Sequence, residues 1–371
     1  MAETVLITGG AGFIGSHLSR HLLERGYHVR ALDNLDPQVH GASERPVYLE
    51  DDVELVVGDV RDREAVDGAL KGVDAVVHFA ARVGVGQSMY EIAEYASVNT
   101  YGTGVLLEAM MDRPIGKLLV ASSMSIYGEG RYRTADGDLA EAVERDRAQL
   151  EAGDWEPRAR DGRALAPEPT PEAKHPSVSS IYALNKLDQE RMCLLYGSSY
   201  NVPTVALRFF NAYGPDQALS NPYTGVLAIF AGRLLNDRSP LIFEDGEQRR
   251  DFVSVHDVAR ACALALERPE ADGLALNVGS GESVTVREVA RRLAAVTGRK
   301  DIEPEVTGKY RVGDIRHCFA DISLARDTIG YTPQVTLADG MAELAEWLQD
   351  QAAEDNVDGA AAELAKRGLT L

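Results

Sequence analysis

The sequence predicts an α/β protein, a doubly wound parallel sheet with a smaller α/β lobe built by the C-terminal part of the chain. Three observations carry this reading. Short β-branched runs alternate with longer amphipathic stretches over residues 1–120. The runs are apolar almost throughout, as strands covered on both faces must be. No internal repeat of solenoid period competes with that pattern.

In chain order, strands are expected at Thr4–Thr8 (TVLIT), His28–Asp33 (HVRALD), Val53–Gly58 (VELVVG), Ala75–Phe79 (AVVHF) and Lys117–Ser122 (KLLVAS). Helical patterns fill the intervals at Phe13–Arg25, Arg63–Leu70 and Ser88–Met111. From Gly128 to Pro176 the alternation stops. That segment is rich in Arg, Asp and Glu and ends in Pro167, Pro169, Pro171 and Pro176. It reads as a structureless insertion, either a lid flanking a binding site or surface decoration. Order resumes with a helix at Ile181–Tyr200 and a strand at Thr204–Arg208. Short strands at Leu241–Phe243 and Leu274–Val278 then mix with helices at Val226–Leu235, Val258–Leu266, Val286–Thr297 and Ala338–Asp350. The Ala-rich, acidic stretch Glu354–Leu371 is expected to be a helix on the surface. At 371 residues, two units are expected: 1–210, to which the chain returns near 250–280, and 211–371 as mainly a second lobe.

Charge narrows the partners. Thirty-eight Lys and Arg face 58 Asp and Glu, a formal net charge of −20. Such a chain repels polyanions, which excludes nucleic acid and anionic membrane as partners held by bulk charge. Small anions stay open to local arginines. Cys193, Cys262 and Cys318 are far apart and form no C-x-x-C pair, so neither a disulfide framework nor a metal site is read. No leader pattern precedes the first strand, and no apolar run approaches the roughly 20 residues that span a bilayer. The expectation is a cytoplasmic, soluble protein without a membrane segment.

The first strand runs directly into Gly9-Gly10-Ala11-Gly12-Phe13-Ile14-Gly15 and then into a helix. Glycines are needed there because a Cβ would block the tight turn, the approach of a pyrophosphate, or the packing of helix on strand. Asp33 follows at the end of the second strand, where a carboxylate hydrogen-bonds ribose hydroxyls and repels a 2′-phosphate. Turn and acid together define a Rossmann dinucleotide site that favours NAD over NADP.

Tyr182-Ala183-Leu184-Asn185-Lys186 places a phenol and an ammonium on one helical face. A free tyrosine has a pKa near 10, so forming its phenolate at pH 7 costs roughly 4 kcal/mol. A neighbouring Lys and the positive ring of an oxidised nicotinamide offset much of that cost, and the pair becomes a general base for a substrate hydroxyl. Upstream, the fifth strand ends in Ser122-Ser123-Met124-Ser125-Ile126-Tyr127-Gly128, which puts hydroxyls at the carboxyl edge of the sheet where ligands bind.

These residues resemble the extended short-chain dehydrogenase/reductase family, in its nucleotide-sugar epimerase and dehydratase branch. The resemblance runs over nearly the whole chain. It is carried by TGGAGFIG (8–15), DNL (33–35), GDVRD (58–62), HFAA (78–81), Asn99 with Tyr-Gly-Thr, SSMSIYG (122–128), YALNK (182–186), RFFNAYGP (208–215), RRDFVSVHDVA (249–259), NVGSG (277–281) and RVGDIRH (311–317). It implies NAD held by Gly9, Gly12, Phe13, Ile14, Gly15, Asp33 and Asn34, with Asp59 and Val60 at the adenine. Phe79, Ala80 and Ala81 would line the dinucleotide, and Asn99, Tyr182, Lys186 and Phe210 would lie near it. Catalysis falls to Ser123, Tyr182 and Lys186. Substrate contacts fall to Ser123, Ser125, Asn211, Arg250 and Arg311, the arginines on a diphosphate.

Family members that dehydrate or decarboxylate the 4-keto sugar carry acids just after the catalytic hydroxyl. Met124 and Ser125 stand there instead. The resemblance therefore implies an isomerase, an NAD-dependent 4-epimerase of a dTDP- or UDP-hexose, with a 4,6-dehydratase or other sugar-nucleotide oxidoreductase as the alternative and a non-catalytic NAD-binding protein behind both. It also implies a homodimer through the helices expected at Ser88–Met111 and Ile181–Tyr200. His78 reads as a packed residue at a strand end, the role of His317 is open, and the cysteines and Trp155 read as structural.

Overall fold

The computed structural model describes residues 3–41, 44–140, 144–223, 225–311 and 313–370. Val312 of the RVGDIRH motif and Leu371 at the end of the expected last helix lie outside the described residues, as do 141–143 of the insertion. The chain folds around a seven-stranded sheet. Its strands are β1 (Thr4–Thr8), β2 (His28–Asp33), β3 (Glu54–Val57), β4 (Ala75–His78), β5 (Lys117–Ser123), β6 (Thr204–Phe209) and β7 (Ala275–Val278). They lie in the order β7-β6-β5-β4-β1-β2-β3, and every neighbouring pair is parallel. The order reverses between β1 and β4, which opens a crevice beyond their carboxyl ends.

Alternation along each strand divides the core. Val5, Ile7, Val77, Leu119 and Val205 face one layer, covered by α1 (Phe13–Glu24) and by the helix Val255–Glu267. Leu6, Val76, Leu118, Val120 and Ala206 face the other, covered by α2 (Arg63–Ala69), α3 (Gly102–Met110) and α4 (Ile181–Tyr200). This two-sided burial is why the strands read as continuous apolar runs. Expected boundaries hold to within a few residues. The returning segment also appears: Val255–Glu267 packs on α1, and β7 pairs with β6.

A smaller α/β lobe gathers the helices Val226–Leu235, Val286–Val296 and Leu337–Leu348 around a separate apolar cluster that includes Phe230, Leu293 and Leu344. Short strands border it: Leu241–Ile242 pairs with Glu305–Val306, and Arg249–Arg250 lies between Val284–Thr285 and His317–Cys318.

Two expectations change and a third is sharpened. The helix expected at Ser88–Met111 is broken: a turn at Val85–Ser88 is followed by Ile92–Tyr95, a π-helical stretch at Ala96–Tyr101, and then α3. The insertion is not structureless. Arg131–Thr134 forms the centre of a three-stranded antiparallel sheet with Leu139–Ala140 and Leu165–Glu168, and Arg147–Glu151 is helical. Several of its charges pair locally at the surface, as Arg147 does with Glu151, while Glu129, Arg145 and Glu156 pair across the fold. Buried Arg316 reaches Glu156 at 2.6 Å, Asp245 at 2.6 Å and Glu244 at 2.9 Å, while Glu129 accepts the Arg316 backbone N–H at 2.7 Å. The last helix, Val357–Lys366, lies on the surface with Leu364 as its buried residue, and its inner face, Val357, Ala360, Ala361 and Leu364, forms a wall of the central cleft.

Candidate active site

A cleft of about 650 Å³ opens at the carboxyl ends of the strands, between the sheet and the smaller lobe. Every residue of the cofactor, catalytic and substrate sets named above lines it except Asn99. Asn99 lies one layer behind, fully buried on the π-helical stretch. Its amide oxygen accepts the Arg82 N–H at 2.7 Å, and its amide nitrogen donates to the Arg82 carbonyl at 3.0 Å. Asn99 thus pins the backbone that follows β4 and carries Ala80 and Ala81.

The glycine turn is shaped by contact. A Cβ on Gly15 would stand 2.4 Å from the Gly9 oxygen, and one on Gly9 2.8 Å from the Ala80 nitrogen. Gly9 also has a φ of +69°, which side-chain-bearing residues avoid. The turn delivers the chain to α1 with no side chain capping its N-terminus, which leaves backbone donors facing the cleft. The Asp33 carboxylate accepts Ala11 N–H at 3.0 Å and Leu35 N–H at 2.9 Å. Asp59 is held below the usual carboxylate range, chiefly by its hydrogen bonds with the Arg61 guanidinium, and Asn34 donates to it at 3.3 Å.

Helix α4 begins with two hydroxyl caps: Ser180 accepts Ala183 N–H at 3.1 Å and Ser88 accepts Tyr182 N–H at 3.0 Å. Tyr182 is therefore fixed from both its own helix and the turn after β4. Burial pushes its phenol above the ordinary value, and a hydrogen bond with Ser123 opposes the shift. Ser123 ends β5, accepts Ser125 N–H at 3.1 Å and donates to the Ser125 hydroxyl at 3.1 Å. Lys186, one turn along α4 from Tyr182, is buried, and desolvation pulls it down to about 8. Its ammonium donates to Gln189 Oε1 at 2.8 Å. Below it, burial pushes His78 down to about 3, which keeps the ring neutral.

The lobe contributes cations. Among the described residues Arg250 has no carboxylate partner; its guanidinium donates to the carbonyls of Arg249, Ile315 and Arg316. Arg311 lies over the Phe243 ring at 4.6 Å, with Asp314 at 3.5 Å, and among the described residues its buried Nε has no hydrogen-bond partner. Asn211 is oriented by a bond to the Asp251 carbonyl at 2.8 Å. The cleft thus combines an anion-binding helix end, a hydroxyl-phenol-ammonium cluster and two arginines.

Residues that sequence reasoning missed complete the walls. Arg82 bonds Asp36 and Gln38, and Gln38 reaches Gln87 and Asn221, joining the sheet to the lobe. The Tyr90 and Tyr223 hydroxyls meet at 2.6 Å. Only Gln189 left a legible signal, its spacing of one turn from Lys186. No group of His, Cys, Asp or Glu among the described residues could hold a metal, and Cys193, Cys262 and Cys318 are buried and free.

A nucleotide-binding sheet with this hydroxyl-phenol-ammonium cluster defines a dinucleotide-dependent enzyme, and the chain belongs to the NAD dependent epimerase/dehydratase family, which matches residues 5–147 and 161–279. Its cofactor is NAD, and the glycine turn, the uncapped helix end and Asp33 fit that dinucleotide. The chain is 39% identical to the dTDP-L-rhamnose 4-epimerase of Burkholderia thailandensis, covering 94% of this chain and 96% of that one. It is 30% identical to a putative UDP-glucose 4-epimerase of Methanocaldococcus jannaschii, covering 93% and 98%. Among solved structures it is similar to the UDP-glucose 4-epimerase of Thermotoga maritima with UDP-glucose, at a TM-score of 0.76 and 31% identity, covering 93% and 98%.

Proposed function

We propose that the protein is an NAD-dependent 4-epimerase of a nucleotide-diphosphate hexose, with dTDP- and UDP-hexoses as the substrate class. The observation that carries the reading is the convergence of Ser123, Tyr182 and Lys186 with the glycine turn on one side of a single cleft and Arg250 and Arg311 on the other. The names of the similar proteins support it, with dTDP-L-rhamnose and UDP-glucose as the first sugars to test. In this reading residues 1–210 with 250–280 hold the cofactor, and the rest of the C-terminal part holds the nucleotide.

Tyr182 as phenolate takes the proton of the sugar O4 while Ser123 orients that hydroxyl. NAD, which the glycine turn and Asp33 would hold, would supply the hydride acceptor and donor for C4 on either face of the sugar. Lys186 holds positive charge beside Tyr182, and Arg250 and Arg311 keep the diphosphate anchored while the sugar turns. Tyr182 then gives the proton back to O4, so proton and hydride are both restored. Alignment of the reacting groups in the cleft lowers the barrier by several kcal/mol.

A dehydratase needs an acid beside the hydroxyl to work at C5 and C6. Met124, buried against Ile126 and Phe210, supplies none. Incubation with a panel of UDP- and dTDP-hexoses, followed by NMR, is expected to show inversion at C4. A stable 4-keto product, or net reduction of NAD, would instead establish the dehydratase or oxidoreductase reading.

The same reading carries a cytoplasmic homodimer. Leu184 and Leu195 share one exposed side of α4, Leu195 being 64% exposed, and Tyr101 on the stretch before α3 is 61% exposed, which supports pairing of those helices. Light scattering is expected to give twice the chain mass.

A further inference from the structure

Lys186 is the most deeply embedded cation of the site, and its surroundings are directional. Among the described residues, the acceptor of its ammonium is Gln189 Oε1, at 2.8 Å. Gln189, fully buried on the next turn of α4, turns its amide nitrogen toward Thr103 Oγ1 at 3.0 Å and the Ala80 carbonyl at 3.3 Å. Thr103 donates its own proton to the Asn99 carbonyl at 2.5 Å, so toward Gln189 it accepts.

An ammonium only donates and a carbonyl only accepts, so the amide of Gln189 has one workable orientation. Its oxygen must face Lys186 and its nitrogen must face Ala80. The same amide nitrogen lies 3.2 Å from His78 Nε2, and the ring also meets Thr8 Oγ1 at 2.7 Å and Thr103 Oγ1 at 2.8 Å. Gln189 thereby joins the ammonium to the backbone that lines the dinucleotide, and it leaves the other two N–H bonds of Lys186 for the cleft.

We infer that Gln189 is a positioning residue, holding the Lys186 ammonium charged and aimed at the reaction site. The inference rests on the reading of Lys186 as partner of the Tyr182 base and deepens it. A buried ammonium loses most of its hydration, and the amide oxygen replaces part of it. The titratable groups facing Lys186 are His78 from β4 and Tyr182, Glu190 and Cys193 from its own helix. β5 presents only the hydroxyls of Ser122 and Ser123. His78 and the Cys193 thiol are neutral and Glu190 is paired with Arg208 at 2.7 Å, so the amide is the neighbour whose replacement changes the balance most directly.

The test is a pH titration of Lys186 by NMR in NAD-loaded protein labelled with 13C-lysine, the resonance being assigned from its loss in Lys186→Met. Wild type is expected to titrate near pH 8. Gln189→Met, which removes the acceptor at nearly constant volume, is expected to lower the midpoint by about one pH unit, and Gln189→Glu to raise it by about the same amount. The alkaline limb of the epimerase pH profile should move in the same directions, and kcat of Gln189→Met should fall about 10-fold or more, with KM for the nucleotide sugar within about 2-fold. Loss of stability alone would move neither midpoint, and it would not move the two variants in opposite directions. Midpoints unchanged in both variants would overturn the inference. The titration needs no sugar, so it decides about Gln189 even if C4 inversion is not found.

Discussion

Tyr182 and Lys186 share one face of α4, yet burial acts on them in opposite senses. It disfavours the phenolate of one and the ammonium of the other, so both charged forms must be supported by neighbours. For Tyr182 the support inside the protein is the Ser123 hydroxyl and, in the proposed mechanism, the Lys186 charge, and the positive nicotinamide ring of oxidised NAD would add to it. Tyr182→Phe is expected to lower C4 inversion by at least about 1,000-fold while bound NAD, measured by absorbance after denaturation, stays at the wild-type amount; unchanged turnover would reject the base. Gly15→Ala should abolish NAD retention, because its Cβ would stand 2.4 Å from the Gly9 oxygen and the turn has no other place to go. His78 gives a pH prediction. Its folded value of about 3 lies below the unfolded 6.5, so the unfolded chain binds the extra proton between these values. Stability is full above pH 6.5 and declines as pH falls, by about 2 kcal/mol for this group between pH 7 and 5. Urea titrations at the two pH values should show this decline in wild type and that much less of it in His78→Gln. The Tyr-Lys pair, the glycine turn and Asp33 were legible in the sequence because each follows from local spacing. The neighbours that set the ionisation of Lys186 were harder to read, since Thr103 and Ala80 are brought beside Gln189 by the fold.

Elements show the same division. The strands were legible because two-sided burial gives runs of apolar residues, and α4 because its motif begins at a capped N-terminus. Ala96–Tyr101 was not. A π-helical stretch keeps the apolar pattern of a helix and changes only the hydrogen-bond step, so composition carries no mark of it. What it does is turn Asn99 onto Arg82. Asn99→Ala would leave the Arg82 N–H and C=O without these partners and slacken the wall at Ala80 and Ala81. About 10-fold weaker NAD binding is expected by calorimetry on reconstituted apoprotein, with the far-UV dichroism unchanged. The insertion was misread for a related reason. Its acids and arginines look like a solvated run, but Glu156 finds Arg316 and His317 at the other end of the sequence, and Gly130 N–H reaches the His317 carbonyl at 2.8 Å. Long-range pairing turns a polar segment into a folded one.

Across the whole molecule, a chain of net charge −20 binds two diphosphate ligands by local means. In the proposed function one is met by the uncapped end of α1 and the other by Arg250 and Arg311. Arg250→Ala is expected to raise KM for the nucleotide sugar by about 10- to 100-fold without loss of bound NAD, in line with about 1.5–3 kcal/mol for hydrogen bonds to a charged group. The C-terminal helix ties the two halves together. Asp355 and Asp358 bind Arg233 and Arg238 of the lobe, Leu364 lies against Gly86, and Arg367 stands over the Tyr90 ring at 4.5 Å. Removing residues 351–371 should therefore open the cleft, raising KM for the nucleotide sugar in steady-state assays while NAD content stays at the wild-type level.

The sequence by itself determined the parallel sheet, the dinucleotide turn, the preference for NAD, and the hydroxyl, phenol and ammonium at the sheet edge. Each is encoded over a few neighbouring residues, where spacing alone decides which side chains share a face. Only the tertiary structure decided that Asn99 stands behind the cleft and not in it, that Gln189 holds Lys186, that the insertion is a small sheet bound to the 315–321 segment, and that the last helix closes a wall of the cleft. Those outcomes depend on which distant groups satisfy one another's hydrogen bonds and charges once buried, and that matching exists only in the folded chain.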